Sequence, residues 1–307
     1  MDHHDRYLEL LSDGDLAALG RFSGHGPGES DIVAWFRRKP ERIGAALDDA
    51  RTAEALFGLD RGVGPRGGAG SGPRPMVEGW DTVTPVLVFA AIIHRGAGDI
   101  GDIAHVPERF GSGLVVPVFD GEQLARFASS QANRLFLVEL LGSYTKVMSG
   151  PQWVRSRGRW RRRRFSEMNP AQLAAMAADI PLEDRAGAYR RLGDLALFLN
   201  GVFPDHSVRL TLSSIELERI LRSIPDHHRD RHRAVQRLLT DRVDGVGPVL
   251  AALGPLWYQL AADLVSLPTM SAQLAHVAER FDQARRFLSF TTDRWLWNQR
   301  DKLFPSR

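Results

Sequence analysis

No cysteine occurs in the 307 residues, which removes disulfides, thiolate zinc sites and cysteine nucleophiles together. Long apolar runs are missing as well. The longest, Val86–Ile93, falls far short of the ~20 residues a membrane-spanning helix requires. Residues 1–6 are polar and of mixed charge, so no secretory leader is expected, and a cytoplasmic protein is. No Gly-x-Ser-x-Gly elbow, no glycine loop ending in Gly-Lys-Ser/Thr and no His-Glu-x-x-His pair is present. These gaps leave an enzyme without a motif but do not exclude one. The expectation leans to a non-enzymatic protein with no cofactor, no metal and no catalytic residue to name.

What is present begins with an ordinary globular balance: 43% of residues are hydrophobic and 25% charged, enough to bury a full-sized core. Charge is less evenly spread. Positions 155–164 hold Arg155, Arg157, Arg159, Arg161, Arg162, Arg163 and Arg164 with no acid among them. Since the whole chain has 40 Lys and Arg against 37 acids, the remainder is net acidic. One basic spot on an acidic body argues against a broad nucleic-acid-binding face and for one local feature.

Apolar spacing predicts helices through most of the chain. Leucines between residues 4 and 20 suggest a first helix. Ser30 or Asp31 is placed to cap Ile32–Arg38, and Pro40 opens a stretch carrying Ile43, Ala46, Leu47, Ala50, Leu56 and Phe57. Residues 58–75 change abruptly to Gly, Pro and Arg, which reads as a flexible linker. Beyond it, 86–94 reads as a buried helix, 96–113 as an irregular connection, and 114–119 as an extended segment that Pro117 confines to an edge. Helices are expected near 120–127, 135–147, 171–178, 213–221, 229–239 and 249–267. A last one is expected from about 270 to 303, bent near 289–292.

The densest apolar segment with clear boundaries is 189–206. Leu192, Leu195, Ala196, Leu199, Val202 and Phe203 share one helical face, Leu197 and Phe198 lie on others, and Asn200-Gly201 followed by Pro204 is a stop signal. Pro181 suits the first helical position. Gly187 and Gly193 each cost roughly 1 kcal/mol against Ala inside a helix, and close approach of another helix would explain them. Asp194 lies within reach of Arg190 and Arg191. Around Leu192-Gly193-Asp194, Leu197-Phe198, Gly201 and Phe203-Pro204 the chain resembles an uncharacterised group of bacterial helical proteins, chiefly actinobacterial. These share a similar Leu-Gly-Asp-x-x-Leu-Phe, x-Gly-x-Phe-Pro segment. The resemblance runs from about Thr84 to the C-terminus; it implies a helical protein and carries no activity with it.

Four constellations invite a functional reading. Trp153, Arg155, Arg157, Arg159, Trp160, Arg161, Arg162, Arg163 and Arg164 suit a short hairpin turned at 156–158 and anchored by the aromatics. Arginine forks bind phosphate or carboxylate, and tryptophan stacks on bases or guanidinium groups. The same residues equally suit a solvated hairpin or one docked on acidic residues. His228 and His232 lie four apart, but Arg229, Arg231 and Arg233 oppose a cation, so no metal is assigned. His94 has Asp99 and Asp102 nearby without a nucleophile. Trp295 and Trp297, among charged residues near the C-terminus, suit either core packing or a partner or oligomer contact.

The expected protein is therefore mostly α, an irregular multi-helix bundle with a short β-hairpin or extended segments. Its parts are an N-terminal helical segment (1–57), a linker (58–79) and a main helical domain (80–307). The leading functional expectation is a helical adaptor or regulatory protein working through protein–protein contacts. The alternatives are nucleic-acid binding through the arginine-rich hairpin 153–165 and, more distantly, an enzyme with an unrecognised site.

Overall fold

The computed structural model of the chain describes residues 3–24, 31–57, 83–110, 114–156, 158–225 and 245–297. In chain order the first elements are α1 (His3–Leu10), α2 (Asp13–Ser23), α3 (Ile32–Arg38), α4 (Glu41–Asp48), α5 (Ala50–Phe57), α6 (Pro85–Ile100), β1 (Val106–Phe110), β2 (Leu114–Val118), α7 (Gly121–Ser129) and α8 (Gln131–Ser143). Then follow β3 (Ser149–Ser156), β4 (Arg159–Ser166), α9 (Pro170–Ala178), α10 (Ala186–Val202), α11 (Pro204–Arg209), α12 (Ser214–Arg222), α13 (Val246–Leu264), α14 (Pro268–Glu279) and α15 (Phe281–Thr292), with a π-turn at Asp293–Trp297. The fold is mostly α, with fifteen α-helices and two antiparallel two-stranded sheets among the described residues. No described helix is long and apolar enough to cross a membrane.

The chain divides into two compact units. The first contains residues 1–103, 128–142 and 291–307. Its central helix is α6, in which every residue from Leu87 to His94 except Phe89 is buried, so the continuous apolar run is a helix wrapped by neighbours and not a strand. Val88, Ala91 and Ile92 of α6 pack with Ala53, Leu56 and Phe57 of α5 and with Trp295 and Leu296. A buried carboxylate fixes the start of this helix. Asp15 closes a capping box with Ser12 at the head of α2, and also accepts from the Thr84 backbone N–H at 2.7 Å and the Thr84 hydroxyl at 2.9 Å. One side chain thus satisfies the N-terminal groups of two elements far apart in sequence.

The second unit contains residues 104–127 and 143–290. Helix α10 lies at its centre. All but one of the residues from Leu192 to Val202 are buried, and its main neighbour is α13, with Trp257 and Tyr258 fully enclosed. Gly193 is what lets them meet: a Cβ there would stand 2.7 Å from the Tyr258 ring. Gly187, expected to serve the same purpose, has nothing within 4 Å. The β1–β2 hairpin pairs Pro107 with Pro117, so the two residues lacking an N–H face each other. Beneath it Glu108 accepts from Arg285 and pairs with Arg286, which also reaches Asp120.

Several boundaries differ from expectation for local reasons. The first helix is two, because Ser12 and Asp15 cap a new start. The stretch from Pro40 breaks at Asp49, where the backbone turns extended. Helix α6 runs on to Ile100, shortening the irregular connection. Pro181 precedes a 3₁₀ turn (Leu182–Asp184), and α10 begins only at Ala186. The last long helix is interrupted at Arg280, ahead of the expected bend, and ends in the π-turn. The expected linker at 58–79, the helix at 229–239 and the pair His228 and His232 lie outside the described residues.

Candidate functional site

The arginine-rich segment is a β-hairpin, with β3 and β4 joined through residues 157 and 158. Gly158 takes φ 76°, the left-handed conformation that short hairpin loops favour and that suits glycine. The register sets Trp153 opposite Arg162, Arg155 opposite Trp160, and Pro151 opposite Arg164. Because residues directly opposite share a face and side chains alternate along a strand, these six positions make one face. Trp153 and Trp160 are 62% and 66% exposed on it, and Arg162 and Arg164 are exposed beside them. Arg159, on the other face, is exposed too. Arg155, Arg161 and Arg163 are placed here by backbone register alone, and Arg157 lies outside the described residues.

At its base the hairpin is held firmly. The backbone N–H of Met148 donates to the Glu167 carboxylate at 3.0 Å, and the Glu167 N–H donates to the Met148 carbonyl at 3.0 Å. The Ser166 N–H donates to Gln172 of α9 at 2.9 Å. Arg191 of α10 donates to Glu167 and, at 2.6 Å, to the Ser143 hydroxyl. Its guanidinium also lies 3.9 Å from the centre of the Tyr144 ring, which stacks on Phe198. Burial works against ionisation of Glu167, but the hydrogen bonds from Arg191 and Met148 and the Arg191 charge outweigh it, holding the carboxyl below its ordinary range. Of these base residues the sequence singled out only Arg191, and for Asp194, not for Glu167. The only local signal for Glu167 was an acid three residues past the arginine run.

The tryptophans near the C-terminus sit differently. Trp295 is 7% exposed, with its ring 5.8 Å from Phe57, its indole N–H donating to Asp99 at 3.0 Å, and Arg95 over its face. Trp297 packs, partly buried, on the same cluster. Both serve the core of the first unit, and Trp295 offers little surface to a partner.

Two buried polar groups considered from the sequence find partners that sequence proximity did not indicate. His94 uses neither Asp99 nor Asp102. Its Nδ1 lies 2.7 Å from Asp48 and its Nε2 2.9 Å from the Tyr7 hydroxyl. Burial pushes the imidazole below its ordinary value, more strongly than Asp48 raises it. The neutral ring then donates from Nδ1 to Asp48 and accepts the Tyr7 hydroxyl proton at Nε2. Asp48, opposed by burial but favoured by His94 and Arg134, is held below its ordinary range. Asp194 accepts from the Tyr258 hydroxyl at 2.8 Å, whereas its ion pair with Arg190 is long at 3.9 Å. Burial, followed by the neighbouring Asp194 charge, raises the Tyr258 phenol well above its ordinary value, so it remains a donor. Among the described residues no group of three or more His, Asp or Glu side chains is arranged to hold a metal.

Comparison with family models, curated proteins and solved structures finds no match.

Proposed function

We propose that this chain is a non-enzymatic helical adaptor or regulatory protein whose contact surface is the Trp153–Trp160 face of the β3–β4 hairpin. The observation that carries the reading is two tryptophans standing about two-thirds exposed, on the same face, on a hairpin whose base is fixed by Glu167 and Arg191. Exposing large aromatic rings to water forgoes the gain from burying them, and tryptophan with arginine dominates the energetics of binding surfaces. Two clusters of buried polar side chains support the same reading. His94, Asp48 and Tyr7 satisfy one another, as do Asp194 and Tyr258, which is how polar groups behave in a scaffold.

The test is affinity capture with the intact chain and with Trp153→Ser/Trp160→Ser. The double variant is expected to lose the bound macromolecules while keeping its thermal midpoint, because both rings are exposed. An unchanged set of bound macromolecules would overturn the hairpin as the contact surface.

A further inference from the structure

We infer that the partner of this hairpin face is single-stranded nucleic acid, its bases stacked on Trp153 and Trp160 and its phosphates held by the arginines beside them. The inference rests on the hairpin being the contact surface and names what that surface takes.

Charge supplies the first half of the argument. Seven arginines and no acid occupy residues 155–164, and the acid that follows, Glu167, is already engaged by Arg191 at the hairpin base. The face therefore has no internal counter-charge among its own residues and selects an anion. Arg162 and Arg164 are exposed two residues apart on one strand, so both forks project from the same face. Phosphate accepts such a fork in bidentate fashion.

The tryptophans decide which anion. They occupy diagonal cross-strand positions, roughly 7–8 Å apart at the backbone, so a chain crossing the hairpin meets both rings, with the exposed Arg162 directly opposite Trp153. A duplex hides its base faces in its own stack and would leave both rings idle. A single strand presents a planar face with every nucleotide, and stacking on tryptophan is what such strands commonly use. An acidic peptide matches the charge but supplies no such succession of planar faces. A membrane-seeking amphipathic helix keeps its aromatic face apart from its basic face. Here tryptophan and arginine are interleaved on one face, and the other face carries Arg159 as well. The six positions of this face include no Asn, Gln, Asp or Glu, the side chains that with arginine read base edges. Binding is accordingly tolerant of sequence.

The experiment is fluorescence anisotropy on the full chain with labelled oligo(dT) and oligo(U) of about 12 nucleotides, a length within the range single-strand sites cover. Heparin, a duplex of matched length, a polyglutamate peptide and phosphatidylglycerol vesicles are run alongside. Both oligonucleotides are expected to bind at low salt more tightly than the duplex or heparin. Trp153→Ala/Trp160→Ala should weaken binding by about tenfold or more, and Trp153→Phe/Trp160→Phe should restore most of it. Arg162→Ser/Arg164→Ser should reduce the slope of log affinity against log salt by about 1.4, at ~0.7 for each phosphate no longer neutralised. Absence of oligonucleotide binding at low salt overturns the inference, as does heparin binding equally well with the tryptophan variant unaffected. Tryptophan-dependent binding of polyglutamate or vesicles without oligonucleotide binding also overturns it, yet leaves the hairpin as a contact surface. If capture by the intact chain is insensitive to the tryptophans as well, both readings fall.

Discussion

Two glycines of one helix should respond to the same substitution with opposite signs. At Gly193 an added Cβ would stand 2.7 Å from one Tyr258 ring carbon and 2.8 Å from the next, about 1 Å inside the ~3.5–4.0 Å at which carbons pack best. Alanine there gains roughly 1 kcal/mol of helix propensity. Against that, α10 and α13 must part or the Tyr258 ring must turn, and overpacking of this kind costs about 1–3 kcal/mol. Turning the ring also strains the 2.8 Å bond from Tyr258 to the Asp194 carboxylate, a charged acceptor whose bonds are worth about 1.5–3 kcal/mol. Gly193→Ala is therefore expected to destabilise the protein by about 1–3 kcal/mol. Gly187, exposed and with nothing within 4 Å of the added carbon, carries only the propensity term. Gly187→Ala should stabilise by about 0.5–1 kcal/mol. Urea midpoints of the two variants and the parent, measured side by side, decide the matter. A rise in both midpoints would refute the close approach of α10 to α13 at this turn.

Stability should also fall as pH drops below the ordinary imidazole value of 6.5. There the unfolded chain takes up a proton that buried His94 refuses, giving a slope of up to about 1.36 kcal/mol per pH unit. Asp48 adds acid sensitivity only lower down: its depressed native value contributes stability above the ordinary carboxylate range, lost as pH falls through that native value. Urea unfolding from pH 7 to 5 should show His94→Gln less stable than the parent at pH 7 but flatter with pH, and equal slopes would exclude His94 as the source. Tyr258→Phe should cost about 1–3 kcal/mol, since Asp194 then keeps, of these two partners, only Arg190 at 3.9 Å. A thermal midpoint equal to the parent's would show that the phenol is dispensable to the carboxylate.

Periodicity revealed the helices because burial on one face or all round leaves a regular trace, and α6 and α10 are the clearest cases. Ends were less legible, since they depend on short-range chemistry that competes with the apolar pattern. The break between α1 and α2 was written in Ser12 and Asp15 as a capping-box spacing, yet the leucines on either side suggest one continuous helix. Long-range polar pairing left no trace at all. Nothing within ten residues of His94 points to Asp48 or Tyr7, and Asp194 is followed by no hint of Tyr258. Such pairs are made by packing, and local spacing could indicate only Arg190 and Arg191. Gly187 and Gly193 make the same point: both break helix propensity, but only the position facing α13 has a neighbour that requires it.

The hairpin shows how composition and register divide the information between them. Composition located the arginines and tryptophans and suggested the aromatics as the hairpin's anchors, but Trp153 and Trp160 stand outward, 62% and 66% exposed. Once the loop is 157 and 158, pairing fixes Trp153 against Arg162 and Arg155 against Trp160, and a slip of one residue would have sent the two rings to opposite faces. The anchoring falls instead to Glu167 and Gln172, soon after the arginine run, and to Arg191 of α10. A base tied by a partly buried ion pair and an exposed outer face are separable in their consequences. Substitutions at Trp153, Trp160, Arg162 and Arg164 should change binding and leave folding alone, whereas loss of Glu167 or Arg191 should loosen the hairpin before any partner is met.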